Sequence, residues 1–117
     1  MHEEDETILR ARDLWQRYLE LTRELLKFID RQDIDTFMDL VPQRSALIEQ
    51  MKALPPNDYR QREECQKMIE EIKPMDQQIM YKARAWLNRS RRQNQTVQAY
   101  RLSPALQSAG MIFNKKY

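Results

Sequence analysis

The sequence predicts an all-α protein, an antiparallel bundle of three long helices with room for a fourth C-terminal segment. No glycine precedes Gly110, although glycine is the usual residue of left-handed turns and bulges. Between the prolines, apolar residues recur in steps of three and four, which is the period of an amphipathic helix. A chain of 117 residues suits a single domain. The points at which proline can end or bend a helix are few: Pro42, Pro55–Pro56, Pro74 and Pro104.

The first helix is predicted from about Asp5 to Arg31, where acidic residues at its start favour the positive end of the helix dipole. Leucines on both flanks widen its apolar stripe, and a wide stripe predicts burial against two neighbouring helices rather than one. The centre of this stripe is formed by Ile8, Ala11, Trp15, Tyr18, Thr22, Leu25 and Ile29.

The second helix is predicted to begin at an N-cap, either Asp33 or Asp35, and to end before Pro55–Pro56. Pro42 falls inside its apolar pattern. It predicts either a kink or a short opening helix that restarts with Pro42 in its first turn. The apolar face consists of Phe37, Leu40, Val41, Leu47, Ile48, Met51 and Leu54.

The third helix is predicted to be capped by Asn57 or Asp58 and to bend near Pro74. Residues 88–95 contain no apolar side chain, so they form either an exposed overhang of this helix or the start of a fourth segment. The predicted seam consists of Cys65, Met68, Ile72, Met75, Ile79, Ala83 and Trp86.

Residues 1–101 are therefore predicted to form the helical bundle, and residues 102–117 a flexible tail. Apolar residues continue from the end of the third helix into this tail, beyond what the core requires. Exposed apolar groups near a terminus indicate a surface for a partner. The predicted partner-binding residues are Val97, Tyr100, Leu102, Leu106, Met111, Ile112 and Phe113.

Charge is distributed unevenly along the chain. Residues 1–56 hold 8 basic and 12 acidic side chains, a net charge of −4, whereas residues 57–117 hold 12 and 6, a net charge of +6. This pattern favours attraction between the two halves of one bundle. A nucleic-acid adaptor is a weaker alternative, because the total charge is only +2 and no binding motif is present. Its binding residues would be Arg89, Arg91, Arg92 and Arg101.

The sequence offers no catalytic or cofactor-binding pattern. Its one histidine is His2, which excludes histidine-based triads and metal sites. A phosphate-binding loop is also excluded, because such loops need several glycines and the sequence contains one. Cys65 has no cysteine partner and no activating neighbour, so we expect an inert, partly buried thiol. We therefore predict no enzymatic activity, no cofactor and no metal.

Membrane insertion and secretion are also not indicated. No apolar run approaches the roughly 20 residues that cross a bilayer. Four of the first six residues are acidic, where a secretory signal would be basic and then apolar. The expected location is the cytoplasm.

Two stretches resemble flagellar export chaperones of the FliT and FlgN kind. One is Leu40-Val-Pro-Gln-Arg-Ser-Ala-Leu-Ile-Glu-Gln-Met, which is similar to a second-helix segment with an arginine followed by Leu-Ile. The other is Tyr100 followed by Gly110-Met-Ile-Phe-Asn-Lys-Lys, similar to the tail of those proteins. Asn114 stands where an aspartate is more usual in the family.

The resemblance implies a cytoplasmic chaperone that binds a hook-associated or filament-cap subunit and passes it to a component of the type III export apparatus. It also implies that Arg44, Leu47 and Ile48 belong to the family framework, and that Tyr100 and the tail serve substrate binding or its regulation. Adaptable methionines suit the acceptance of a partner helix, although the main expectation for most of them is that they fill the core. The methionines concerned are Met68, Met75 and Met80. A self-associating structural or regulatory adaptor, with a homodimer as one form, stays the alternative.

Overall fold

A computed structural model of the protein describes residues 3–92. It contains helix α1 (Glu3–Asp30), helix α2 (Ile34–Ala53), a short 3-10 turn η1 (Tyr59–Gln61) and helix α3 (Glu63–Arg92). The predicted all-α class is confirmed, since this part of the chain contains no strand. None of the helices between residues 3 and 92 combines the length and the apolar character needed to cross a membrane.

Ion pairs along α1 and α3 establish the direction of the helices. Arg12 pairs with Glu64, and Arg23 pairs with Glu71 further along both helices, so α1 and α3 run parallel. The short turn at residues 31–33 reverses the chain, and α2 therefore runs antiparallel to both. Both α2 and α3 pack along α1, whereas no Cα atom of α2 comes within 8 Å of one in α3.

The core divides into two apolar clusters along the bundle. The first lies near the start of α1 and comprises Ile8, Ala11, Leu14, Trp15, Tyr18, Leu19, Leu47, Tyr59, Cys65, Ile69 and Ile72. The second lies near the turn between α1 and α2 and comprises Leu25, Ile29, Ile34, Phe37, Met38, Ile79, Ala83, Trp86 and Leu87. The predicted α1 stripe is buried over its whole length, from Ile8 to Ile29.

The turn after α1 uses a left-handed residue without using glycine. Gln32 has a φ of 58°, its N–H donates to the carbonyl of Ile29, and the N–H of Asp33 donates to that of Phe28. This pair of hydrogen bonds is the Schellman motif, which glycine usually completes. A side chain at this position carries a conformational cost of about 1–2 kcal/mol.

Helix α2 begins as predicted, because the Asp33 carboxylate accepts hydrogen bonds from the N–H and hydroxyl of Thr36 at 3.2 and 2.8 Å. Pro42 lies inside one continuous helix, so the expectation of a separate opening helix is wrong. Its side chain is exposed. Leu54, the residue before Pro55, has extended dihedral angles and ends the helix.

The predicted start of the third helix is wrong by several residues. Neither predicted residue caps this helix. The side-chain oxygen of Asn57 accepts from the N–H of Tyr59 at 3.0 Å, just before η1, and Asp58 occupies the N-cap position of η1 without a side-chain capping bond. Helix α3 begins only at Glu63 and continues through Asn88. Pro74 lies inside it on the exposed side.

Candidate functional site

An open apolar groove lies at the end of the bundle where α2 meets the connection to α3. Its volume is ≈ 220 Å³. We call it the Trp15 groove, and its lining consists of Ala11, Trp15, Ile48, Met51, Lys52, Leu54, Pro56, Asn57 and Arg60. Six of these nine side chains are apolar, and the polar members include two cations, Lys52 and Arg60. Such a groove can accept an apolar side chain together with an acidic neighbour.

The groove follows from the way in which the sequence ends α2. Pro55 forces Leu54 into an extended conformation, and the chain then leaves the helix axis instead of continuing along α1. Trp15 and Ala11 on α1 consequently have α2 on one side and the connection on the other. Trp15 is itself only 7% exposed, so it contributes to the floor of the groove rather than projecting from it.

The far wall of the groove is fixed by a polar cluster around Tyr59. The Tyr59 side chain is fully buried, and its hydroxyl donates to the Glu64 carboxylate at 3.2 Å. Arg12 donates two hydrogen bonds to the same carboxylate, at 2.7 and 2.8 Å. These bonds hold the pKa of Glu64 below its ordinary value, whereas burial raises the pKa of Tyr59 to about 12. The connection is therefore ordered before any partner binds.

A second polar cluster lies inside the bundle, between the two apolar clusters of the core. Arg44 on α2 donates to the Asp76 carboxylate on α3 at 2.6 Å and to the Thr22 hydroxyl on α1 at 3.1 Å. Its guanidinium lies 4.9 Å from the centre of the Tyr18 ring. All four side chains are buried. Because the backbones of α2 and α3 do not approach each other, Arg44 is a direct link between these two helices.

The Arg44–Asp76 pair is not fully satisfied. The Oδ2 atom of Asp76 is buried and has no hydrogen-bond partner among the described residues. Burial raises the pKa of Asp76, and the charge and hydrogen bond of Arg44 oppose that rise. A buried pair of this kind contributes little net stability, but removing one partner is costly. The pair therefore favours one relative position of α2 and α3 over alternatives.

The predicted partner-binding residues all lie beyond Arg92, outside the described residues, and their role stays a prediction. They are Val97, Tyr100, Leu102, Leu106, Met111, Ile112 and Phe113. Of the residues that the resemblance assigned to the framework, Arg44 and Leu47 are buried and Ile48 is partly buried. Met68 and Met75 pack against the first core cluster.

Two features of the site were missed by reasoning from the sequence. Asp76 is buried within the apolar seam between Ile72 and Ile79. An acidic residue at a seam position could have indicated a buried ion pair. The groove was also missed, although Pro55–Pro56 beside a tryptophan-containing stripe was a signal that the packing changes there.

The chemistry of the other described side chains is limited. Cys65 is fully buried, and burial raises the pKa of its thiol to about 12, which makes it a poor nucleophile at neutral pH. Residues 3–92 bring together no three histidine, cysteine, aspartate or glutamate side chains that could hold a metal ion.

A comparison with family models gives a match over most of the chain. The matching model is described as "Flagellar protein FliT" and aligns with residues 12–102. It spans all of α2 and α3, and α1 from Arg12 onward. Comparisons with curated proteins and with solved structures give no match.

Proposed function

This chain belongs to the FliT family of flagellar export chaperones, and on that premise we propose that it binds a hook-associated or filament-cap subunit in the cytoplasm and delivers it to the type III export apparatus. The family match supports the class of function. The Trp15 groove supports the binding step, because it is an open apolar surface on an ordered frame and contains no group suited to catalysis.

The shape of the groove favours a helical segment of the subunit as the bound element. An amphipathic helix recognised in a groove presents a few apolar anchors to an apolar floor. Trp15 and Met51 supply such a floor, and methionine adapts to side chains of different shape. Lys52 and Arg60 at the groove favour an acidic residue beside the anchor.

The tail is proposed as a second contact with the same subunit. Residues 93–117 contain no acidic side chain, and the cations in the lining of the Trp15 groove do not attract a basic segment. This charge pattern favours a tail that contacts the partner over a tail that covers the groove. The proposed contact residues are Val97, Tyr100, Leu102, Leu106, Met111, Ile112 and Phe113.

Titration of purified hook-associated and filament-cap subunits into the protein tests this function. Met51→Glu should weaken binding at least about tenfold, because it places a charge in the apolar groove. Gln50→Glu is the matched control, since Gln50 is exposed on the same helix outside the groove. An equal loss of affinity in both variants would show that the groove is not part of the binding site. Circular dichroism shows whether each variant is folded.

Deleting residues 98–117 tests the proposed role of the tail. The bundle should stay folded and the subunit should no longer be captured. Tighter capture would show that the tail covers the binding surface, and loss of cooperative unfolding would show that the tail belongs to the core.

The alternative is a self-associating adaptor without enzymatic activity. Light scattering coupled to chromatography separates the two functions, because the mass of the protein alone and with each subunit is measured directly. A stable homodimer that binds none of the flagellar subunits would overturn the chaperone proposal.

A further inference from the structure

The C-terminal half of α3 presents an aromatic side chain that the bundle does not use. Tyr81 is 76% exposed, although its neighbours Met80 and Ala83 are partly or fully buried. Tyrosine is enriched at protein interfaces relative to the rest of the surface, so Tyr81 is a candidate contact residue where charged groups surround it. We call this surface the Tyr81 face, and it consists of Gln77, Tyr81, Arg84, Ala85, Asn88 and Arg89.

Tyr81 stands between two open depressions. Both contain Tyr81, Ala85 and Asn88 in their lining. The small side chain of Ala85, one turn after Tyr81, leaves room beside the ring. The first depression, of ≈ 580 Å³, is completed by Gln77, Met80 and Arg84. The second, of ≈ 500 Å³, is completed by Ile29, Asp30, Gln32, Lys82 and Arg89.

Each depression contains a guanidinium that the fold leaves unused. On the first half of α3, Glu64 pairs with Arg12 and Glu71 with Arg23. On the second half, Lys82 pairs with Asp30. Arg84 and Arg89, in contrast, are exposed and form no ion pair with any residue between 3 and 92. No acidic residue follows Asp76 anywhere in the sequence. The Tyr81 face is therefore a cationic surface with an aromatic centre.

We propose that the Tyr81 face binds an acidic segment of a partner protein. An apolar side chain of that segment packs on the Tyr81 ring, and carboxylates on either side accept hydrogen bonds from Arg84 and Arg89. Arginine binds carboxylates in a bidentate manner, and tyrosine and arginine are among the residues that dominate binding energy at interfaces. The amides of Gln77 and Asn88 are available for the backbone of the segment.

Charge and position argue against the other occupants. Residues 93–117, which include the tail, carry basic and no acidic side chains. Their charge has the same sign as that of the Tyr81 face, so the two do not attract each other. The acidic start of α1 lies at the end of the bundle where α3 begins, because α1 and α3 are parallel and Arg12 pairs with Glu64. Tyr81 is about 27 Å further along α3. Among the side chains described up to residue 89, this face offers a nucleic acid two unpaired guanidiniums, and the Asp30 carboxylate lies beside Arg89 in the second depression.

This surface is distinct from the Trp15 groove and does not depend on the proposed function. The groove lies at the end of the bundle where α3 begins, whereas the Tyr81 face lies beside the turn between α1 and α2. The two sites share no residue. The protein can therefore hold two partners at once.

Fluorescence anisotropy with a labelled helical peptide, which presents glutamates and leucines on one face, tests the proposal on the full-length protein. A peptide with lysine at every glutamate position is the control probe. The protein should bind the acidic peptide at least about tenfold more tightly. Tyr81→Ala should weaken binding at least about fivefold, and the double variant Arg84→Glu/Arg89→Glu at least about tenfold. Equal binding of the two peptides would overturn the proposal.

Matched variants separate this site from the rest of the protein. Arg10→Glu reverses an exposed charge at the other end of the bundle and should leave peptide binding unchanged. An equal loss in that variant would show that only the overall charge matters and would overturn the proposal. Because Tyr81, Arg84 and Arg89 are exposed, their variants should keep the parent's unfolding midpoint and its capture of flagellar subunits. If neither the parent protein nor any variant captured a flagellar subunit, the chaperone proposal would be contradicted and the proposal for the Tyr81 face would not be.

Three further measurements exclude the other occupants. Removal of residues 93–117 should leave peptide affinity unchanged, and a gain would assign the face to the tail. A single-stranded oligonucleotide that binds more tightly than the acidic peptide would assign the face to nucleic acid. A dimer that dissociates in Tyr81→Ala would assign it to a second copy of the chain. Each of these results would overturn the proposal.

Discussion

Separating Arg44 from Asp76 should destabilise the protein strongly. Asp76→Asn keeps the shape of the side chain but leaves the charge of Arg44 inside the bundle without a counter-charge. Removing one partner of a buried pair costs about 3–5 kcal/mol, a large part of the roughly 5–15 kcal/mol that stabilises a typical domain. We expect a loss of about 3 kcal/mol, the lower end of this range, because the guanidinium keeps two other contacts, the Thr22 hydroxyl and the Tyr18 ring.

The reverse change, Arg44→Met, should depend on pH in a way that Asp76→Asn does not. Without Arg44 the pKa of Asp76 rises further, because only burial then acts on it. A carboxyl group with a raised pKa binds more protons in the folded than in the unfolded state, so stability falls as pH rises through that pKa. The deficit of Arg44→Met should therefore shrink as the pH is lowered from 7. Asp76→Asn has no titrating carboxyl group at this position, so its own stability should show no such dependence on pH.

Urea unfolding followed by circular dichroism, at several pH values, measures both effects. The double variant Arg44→Met/Asp76→Leu should recover most of the lost stability, because it removes both buried charges. Single variants within about 1 kcal/mol of the parent would refute the reasoning and would mean that water reaches the pair. A double variant as unstable as Asp76→Asn would show that packing, rather than charge, dominates at this position.

Four further changes test other parts of the structure. Trp15→Ala should cost about 3–5 kcal/mol, and an unchanged urea midpoint would show that Trp15 is not part of the core. Gln32→Gly should stabilise the protein by about 1 kcal/mol, because glycine relieves the left-handed conformation of the turn; thermal unfolding that shifts downward would contradict this. Glu64→Gln should be less stable than the parent at neutral pH. The stabilities of the two proteins should converge as the pH falls through the lowered pKa of Glu64, because the bond to Arg12 stabilises only the charged carboxylate. A stability difference that stays constant down to acid pH would contradict this cause. A thiol reagent should modify Cys65 no faster than the protein unfolds, and rapid labelling of the native protein would show that the first core cluster opens.

The sequence predicted the helices well because their apolar stripes are long and regular. The α1 stripe from Ile8 to Ile29 is buried as expected, and Asp33 caps α2 through Thr36. Of the two alternatives predicted at Pro42, the restart of the helix was wrong, because α2 is continuous through Pro42. Proline inside a helix interrupts one backbone hydrogen bond, and burial of the same apolar face on both sides outweighs that loss.

The candidate site could not be predicted in the same way, because it depends on contacts between helices. Asn57 and Asp58 have the properties of helix caps, but they precede a 3-10 turn instead of α3, and that arrangement depends on how Tyr59 and Glu64 pack against Arg12. The pairing of Arg44 with Asp76 connects residues 32 positions apart. No local pattern specifies such a partner.

The position of Arg44 helps to explain how a small bundle keeps an apolar groove open. Both α2 and α3 pack on α1, but their backbones stay apart, and the Arg44–Asp76 pair occupies part of the space between them. Closing α2 onto α3 would displace this pair, at the cost of two buried charges without partners. At the end of α2, Pro55–Pro56 turns the chain out of the helix axis, so that Pro56 and the residues after it form a wall of the groove beside Trp15. The exposed apolar surface is therefore a consequence of a fixed frame, so a partner helix would meet a preformed groove and lose little free energy to rearrangement of the chaperone.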